Sequence, residues 1–343
     1  MIGRLLIGLG VVVVCAGCGR TGLFAGEPLA GMDGGRVFDA GLRDASTPEA
    51  GGPDAGHDAG PLCSRSVELT AEEVEPSTVI LLVDASSSMR VRFGGGLTRW
   101  EAVRAAFVGP DGVIGRIEDR VPVGLVRYTA VIVCPTLDTL PAQLGASAAI
   151  DDVLAELPGG STPTADTLMR VRADIERLRN GFEGPLALVL ATDGEPTVCD
   201  GPTRAPEFER ARVVEQVELA FGEGVRTFVL GVGREIADAH LQAIANAGAG
   251  VGAGEPDAIA WRADDPATLS DQIARAVGAA ASCVATLPWS VPVPCDAAVE
   301  LGGEPLACND PDGYRIVGAQ IELRGAACDA FAAGASMTVR PGC

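Results

Sequence analysis

Three segments of this chain carry short, almost uninterrupted apolar runs: TVILLVD at 78–84, PLALVLATDG, which ends in a turn, at 185–194, and VRTFVLGVG at 225–233. A strand with one wet face alternates polar and apolar residues, so runs of this kind predict strands buried on both faces of a sheet. Between and after them lie segments with helical spacing. Thr98-Arg99-Trp100-Glu101 has the form of a capping box ahead of EAVRAAFVG. TADTLMRVRADIERLRN aligns Leu168, Val171, Ile175 and Leu178 on one helical face, and RARVVEQVELAFGEG is a helix stopped by glycine. DAHLQAIANAGAG and PATLSDQIARAVGAAAS predict two more helices, flanking a short edge strand in AIAWRA. VPVGLVRYTAVIVC reads as two strands with a turn near Thr129. Strands alternating with helices require an α/β fold: a doubly wound, mostly parallel sheet with flanking helices.

Both ends of the chain have a different texture. MIGRLLIGLGVVVVCAGC has a basic residue, a short apolar run and small residues before Cys18, the pattern of a secretory signal rather than a spanning helix. Its ending, Cys15-Ala16-Gly17-Cys18, resembles a bacterial lipobox, although Cys15 stands where that family usually has leucine. The resemblance implies a signal peptide over 1–18, lipidation of Cys18 and attachment to the cell envelope, with the outer membrane favoured. Residues 19–62 are rich in Gly, Pro, Ala and Asp, with DAG repeated at Asp39, Asp54 and Asp58. So few large apolar side chains cannot offset the entropy of ordering, and the segment is expected to be a flexible tether. Residues 284–343 are broken by prolines and glycines into short alternating stretches and carry four cysteines, which predicts a small disulfide-stapled β-rich module after the α/β domain of 63–283.

Ten cysteines in an exported chain predict disulfides. With Cys15 and Cys18 set aside, eight remain. The expected pairs are Cys63–Cys283 bracketing the α/β domain, Cys134–Cys199 near the loop that follows Asp193, and Cys295–Cys308 and Cys328–Cys343 in the C-terminal module. Net charge is −20, with no lysine and no clustered stripe of arginine, so nucleic acid is not an expected partner. The two histidines, His57 and His240, supply no convincing imidazole base.

The first apolar run ends in DASSSM. An aspartate and serines at that spacing serve a helix cap, a nucleophile or half of a metal site. In a parallel sheet, ligands bind beyond the carboxyl ends of the strands, near the reversal in strand order. Asp84, Ser86 and Ser88 lie just past one such end, Thr162 sits in the glycine-rich GGSTPTADTL ahead of a helix, and Asp193 follows another buried strand. Carboxylates and hydroxyls without sulfur or imidazole suit a hard divalent cation. D-x-S-x-S after a strand, then a T-x-T loop, then TDG after a second strand resembles a von Willebrand factor type A domain with a metal-ion-dependent adhesion site, over about 63–283. That resemblance implies direct ligation by Ser86, Ser88 and Thr162, with Asp84 and Asp193 acting mainly through water. The expected cation is Mg²⁺, with Mn²⁺ or Ca²⁺ as alternatives, and the expected partner is a protein or glycan presenting an acidic group. Two other functions use the same residues: a metal-dependent hydrolase, and a scaffold whose metal only stabilises the loops. Glu195 and Asp200 are expected to shape the binding face rather than move protons.

Overall fold

The computed structural model describes residues 65–71, 73–74, 76–199 and 205–342. The signal segment, the tether, Cys18, Cys63, Asp200 and Cys343 lie outside the described residues. Strand β1 (Val67–Leu69) comes first, followed by β2 (Thr78–Asp84), which is buried along its whole length. A small hairpin of β3 (Arg92–Gly94) and β4 (Leu97–Thr98) leads into helix α1 (Arg99–Val108). The predicted capping box is formed there: Thr98 and Glu101 exchange side-chain and backbone hydrogen bonds. Helix α2 (Val113–Ile117), strands β5 (Val123–Thr129) and β6 (Thr136–Gln143) and helix α3 (Ser147–Leu154) follow.

The helix expected from Thr164 onward is interrupted at Asp174, giving α4 (Thr164–Ala173) and α5 (Ile175–Arg179). Asp174 turns its carboxylate to Arg177, the kind of local bonding by which a short acidic side chain competes with helix. Next come β7 (Leu186–Thr192), α6 (Pro206–Gly222), β8 (Val225–Val232), α7 (Asp238–Ala249), β9 (Trp261–Ala263) and α8 (Pro266–Ser282). The C-terminal layer contains β10 (Val284–Thr286), β11 (Ala298–Leu301), β12 (Glu304–Pro305), β13 (Tyr314–Val317), β14 (Gln320–Leu323), helix α9 (Gly325–Ala332) and β15 (Met337–Arg340).

The main sheet runs β6-β5-β2-β7-β8-β9, parallel except for the antiparallel edge strand β6. Its central strand shows why the apolar runs are unbroken. Val79, Leu81 and Val83 pack on one face with Phe107 of α1, Ile150 of α3 and Ile273 of α8. Ile80 and Leu82 pack on the other with Leu168 of α4, Val217 of α6 and Ile244 of α7. Alternate side chains point to opposite faces and both faces are roofed by helices, so every position is apolar. From β2 the chain crosses to β5 on one side, and the later strands β7, β8 and β9 lie on the other. The strand order therefore reverses between β2 and β7.

Several expectations are corrected. VPVGLVRYTAVIVC is one strand, β5, followed by a loop; its partner β6 starts only at Thr136, so Cys134 lies in that loop and not in a second strand. Val131, Ile132 and Val133 in that loop are exposed, Ile132 at 96%. Strand β1 belongs with the C-terminal strands, pairing antiparallel with β15 in the sheet β1-β15-β11-β12. A second small sheet, β10-β14-β13, completes that layer, whose core includes Tyr314, Ile316, Phe331, Met337 and Val339.

Cys134 is joined to Cys199, and Cys295 to Cys308. The expected pairs Cys63–Cys283 and Cys328–Cys343 are both replaced by Cys283–Cys328, with 5.3 Å between the Cα atoms. Strand β10 starts directly after Cys283 and pairs with β14, and β14 leads into α9, which brings Cys328 to Cys283. Each sulfur forms one such bond, so both earlier pairings fall together.

Candidate metal centre

Three loops meet beyond the carboxyl ends of β2 and β7, at the reversal in strand order. Backbone hydrogen bonds zip the first two together: Gly159 N–H donates to the Ala85 carbonyl (2.7 Å), and Ser87 N–H to the Gly160 carbonyl (3.0 Å). Gly160 N–H donates in turn to Ser87 Oγ. Gly160 has φ +88°, and a Cβ there would lie 2.2 Å from the Ala130 carbonyl oxygen, so this close approach requires glycine. The third loop is latched to the second, since Thr162 N–H donates to Thr197 Oγ1 and Thr197 N–H to the Thr162 carbonyl. Two residues further on, Cys199 is tied to Cys134.

Asp84, the last residue of β2, is fully buried; its Oδ1 accepts from Ser86 N–H and its Oδ2 from the Thr192 hydroxyl. Ser88 Oγ donates to Asp193 Oδ1 at 2.7 Å and lies 2.8 Å from Ser86 Oγ. A hydroxyl has one proton, so Ser88 cannot also donate to Ser86. The chain of bonds therefore runs Ser86 to Ser88 to Asp193, leaving the Ser86 lone pairs as acceptors. Thr162 is 5% exposed, and among the described residues no hydrogen bond is recorded for its hydroxyl.

Burial pushes the Asp84 carboxyl up to about 7, and repulsion from Asp193 adds to the rise despite the bonds from Ser86 and Thr192. Burial also raises Asp193, opposed by its bonds from Ser88 and Arg99. Two buried carboxylates held this close call for positive charge. Part of it comes from a residue that the sequence reading passed over. Arg99, 4% exposed, donates from NH1 to Asp193 Oδ2 at 2.8 Å and also pairs with Glu235. A faint signal was present: Arg99 is the first residue of α1, where the helix dipole disfavours a cation, so another partner was needed.

The donors present are carboxylate and hydroxyl oxygens, with no thiol or imidazole among them. Among the described residues no group of three or more His, Cys, Asp or Glu gathers, so any cation here depends on the serine and threonine hydroxyls. Hard oxygens carrying two buried negative charges fit Mg²⁺, Mn²⁺ or Ca²⁺. Glu195 does not join the cluster; it pairs with Arg210 and accepts from Ala237 N–H. His240 is buried, and desolvation pulls its pKa down to about 4.

The order of these loops on this sheet agrees with a match of the von Willebrand factor type A domain model to residues 78–273. The chain belongs to the von Willebrand factor type A domain family. Solved structures similar to this type A chain include the pilus adhesin SpaC from Lactobacillus rhamnosus GG in its open conformation, 16% identical, covering 80% of this chain and 41% of the adhesin, TM-score 0.47. Manganese-loaded TRAP protein from Plasmodium vivax is 19% identical over 68% of this chain and 88% of that one, TM-score 0.43. Proximal thread matrix protein 1 from the mussel byssus, with a zinc-occupied MIDAS motif, is 16% identical over 62% and 47%, TM-score 0.42. The type A chain thus spans less than half the length of the pilus adhesin. Among curated proteins none matches it.

Proposed function

We propose that this chain is an envelope-anchored lipoprotein whose type A domain grips an acidic group on a protein or glycan through one divalent cation. In this reading Ser86, Ser88 and Thr162 hold the cation directly, while Asp84 and Asp193 hold it mainly through water. When bound, the cation would supply a positive charge that the two carboxylates only partly offset, because Arg99 already pairs with Asp193 and both carboxylates act mainly through water, and so would attract an external carboxylate. The observation that carries the reading is the pair of buried carboxylates, Asp84 bonded by the Thr192 hydroxyl and Asp193 by that of Ser88, at the strand-order reversal. Mg²⁺ is the expected ion.

The chain's own residues do the rest. Arg99 holds Asp193 in place, the Thr162–Thr197 hydrogen bonds fix the second loop to the third, and the Cys134–Cys199 disulfide ties the third loop to the loop between β5 and β6. The exposed Val131, Ile132 and Val133 leave β5 beside the Thr162 loop, where Ala130 bridges to Ser161. They give the rim an apolar step, so the ligand is one that sets an acidic group next to an apolar one. Binding rather than hydrolysis is favoured because no imidazole contributes to the cluster and Glu195 is committed to Arg210.

Calorimetry with Mg²⁺, Mn²⁺ and Ca²⁺, together with affinity capture in Mg²⁺ and in EDTA, tests the proposal. The expected result is one cation per chain and capture that EDTA abolishes. Cation binding with capture indifferent to EDTA would leave a structural metal only; no binding of any of the three would refute the site. For the anchor, Cys18→Ser should move the protein out of the detergent phase, and unchanged partitioning would refute lipidation.

A further inference from the structure

Far from the three loops, a cavity of about 100 Å³ lies where the edge of the main sheet meets the C-terminal layer. Its walls are of two kinds. Phe228 of β8, Trp261 of β9 and Ala249 of α7 give an apolar side, with the two aromatic ring centroids 5.8 Å apart. Arg226 of β8, Glu322 of β14 and Arg324, which joins β14 to α9, give a charged side. Arg226 is 2% exposed and Arg324 8%. Arg226 donates from NH1 to Glu322, and Arg324 Nε lies 3.6 Å from the same carboxylate. Arg226 Nε and NH2 and Arg324 NH2 are buried and have no hydrogen-bond partner among the described residues. The Phe221 ring, 5.8 Å from the Arg226 guanidinium, attracts its charge but accepts none of those protons as a hydrogen bond would.

Charge counting sharpens the question. Arg315 of β13, 6% exposed, is close enough to feel both Arg226 and Arg324, and pairs with Glu255. Among the buried and half-buried groups the cluster holds three guanidiniums, Arg226, Arg315 and Arg324, against two carboxylates, Glu255 and Glu322; the exposed Asp257, Asp329 and Arg275 also line the cavity. Burial pulls the Arg315 pKa down, and repulsion from the other two arginines adds to it. Solvent screens the exposed charges, whereas the unpaired N–H donors of Arg226 and Arg324 are buried, so a small anion that reaches them satisfies the donors and supplies the counter-charge that the buried groups lack.

We propose that this cavity binds a small monoanionic carboxylate, its oxygens on Arg226 and Arg324 and its short alkyl tail against Phe228, Trp261 and Ala249. The volume limits the tail, since a cavity of about 150 Å³ is what accommodates benzene. A planar carboxylate accepts paired hydrogen bonds from guanidinium better than a spherical halide does. The site is independent of the proposed cation.

The test is calorimetry and thermal melting of the full chain with sodium butyrate at constant ionic strength. EDTA is present throughout, so that a cation near Asp84 cannot report the carboxylate. Butyrate should raise the melting temperature saturably, while butyramide, which has the same shape without the charge, should not, nor should chloride. Arg324→Gln should weaken butyrate at least tenfold, as expected for loss of one charge-assisted hydrogen bond. Ala279→Leu, which fills the cavity from α8 and keeps every charge, should weaken it as much, and serves if Arg324→Gln does not fold. An equal response to chloride would reduce the site to a halide hole and overturn the proposal. So would no response to butyrate, or full affinity in both variants.

Discussion

Asp84→Asn separates the two demands that the metal centre makes on the fold. The substitution is nearly isosteric: the amide oxygen can still accept from Ser86 N–H, and the amide nitrogen can donate to the Thr192 hydroxyl in place of Oδ2. What it removes is the charge. The Asp84 carboxyl titrates at about 7 in the folded metal-free protein against 3.8 when unfolded, because of burial first and Asp193 second. A folded pKa above the unfolded one means that the folded state holds the proton more tightly. Stability is therefore lost as pH rises from 3.8 to about 7 and changes little beyond. At about 1.36 kcal/mol per pKa unit, ionised Asp84 costs the fold about 4 kcal/mol at pH 8 and under about 1 kcal/mol at pH 4. In EDTA, Asp84→Asn should then be more stable than the native chain by about 4 kcal/mol at pH 8, a gain of about 10 °C in melting temperature, with the gap closing toward pH 4. With cation the gap at pH 8 narrows. The native chain should gain about 2.7 kcal/mol at a hundred times the dissociation constant, and the variant nothing. Scanning calorimetry from pH 4 to 8, with Mg²⁺ and with EDTA, measures both. A stability gap that does not change with pH, or an Asn variant that still responds to Mg²⁺, would refute the electrostatic account of the site.

Arg99→Gln should lower stability in EDTA by about 3 kcal/mol by stranding buried Asp193, and should tighten cation binding in calorimetry, since one competing positive charge is gone. Ile132→Ser, at a fully exposed rim position, should change stability by less than about 0.5 kcal/mol and leave cation affinity alone, while weakening ligand capture. His240, held near 4 by burial with Arg210 adding to the fall and Glu195 opposing it, is neutral in the folded state. The unfolded chain gains a proton below 6.5, so stability should fall by about 2 kcal/mol, after allowance for solvent screening, between pH 6.5 and 4. His240→Gln should flatten that limb in a urea titration.

Much of this molecule is legible in its sequence because the relevant rules are local. An unbroken apolar run has to be covered on both faces, so β2, β7 and β8 were readable as buried parallel strands, and a capping box announces α1 wherever the helix goes. DASSS and ATDG could be placed at strand ends for the same reason and GGSTPT in a loop ahead of a helix, and placement at one edge of a parallel sheet already makes convergence of their oxygens possible. The tertiary structure decided what depends on distance in space between residues remote in the chain. Cys283 was assigned to Cys63 because both appeared to bracket one domain. The pairing of β10 with β14 instead carries Cys328 to it, and the pairing of β1 with β15 moves the first strand into the C-terminal layer. The bridge from Arg99 to Asp193 spans 94 residues, and that from Arg226 to Glu322 spans 96. No periodicity records such a contact, because the free energy of a buried charge is set by which opposite charge the finished fold brings beside it.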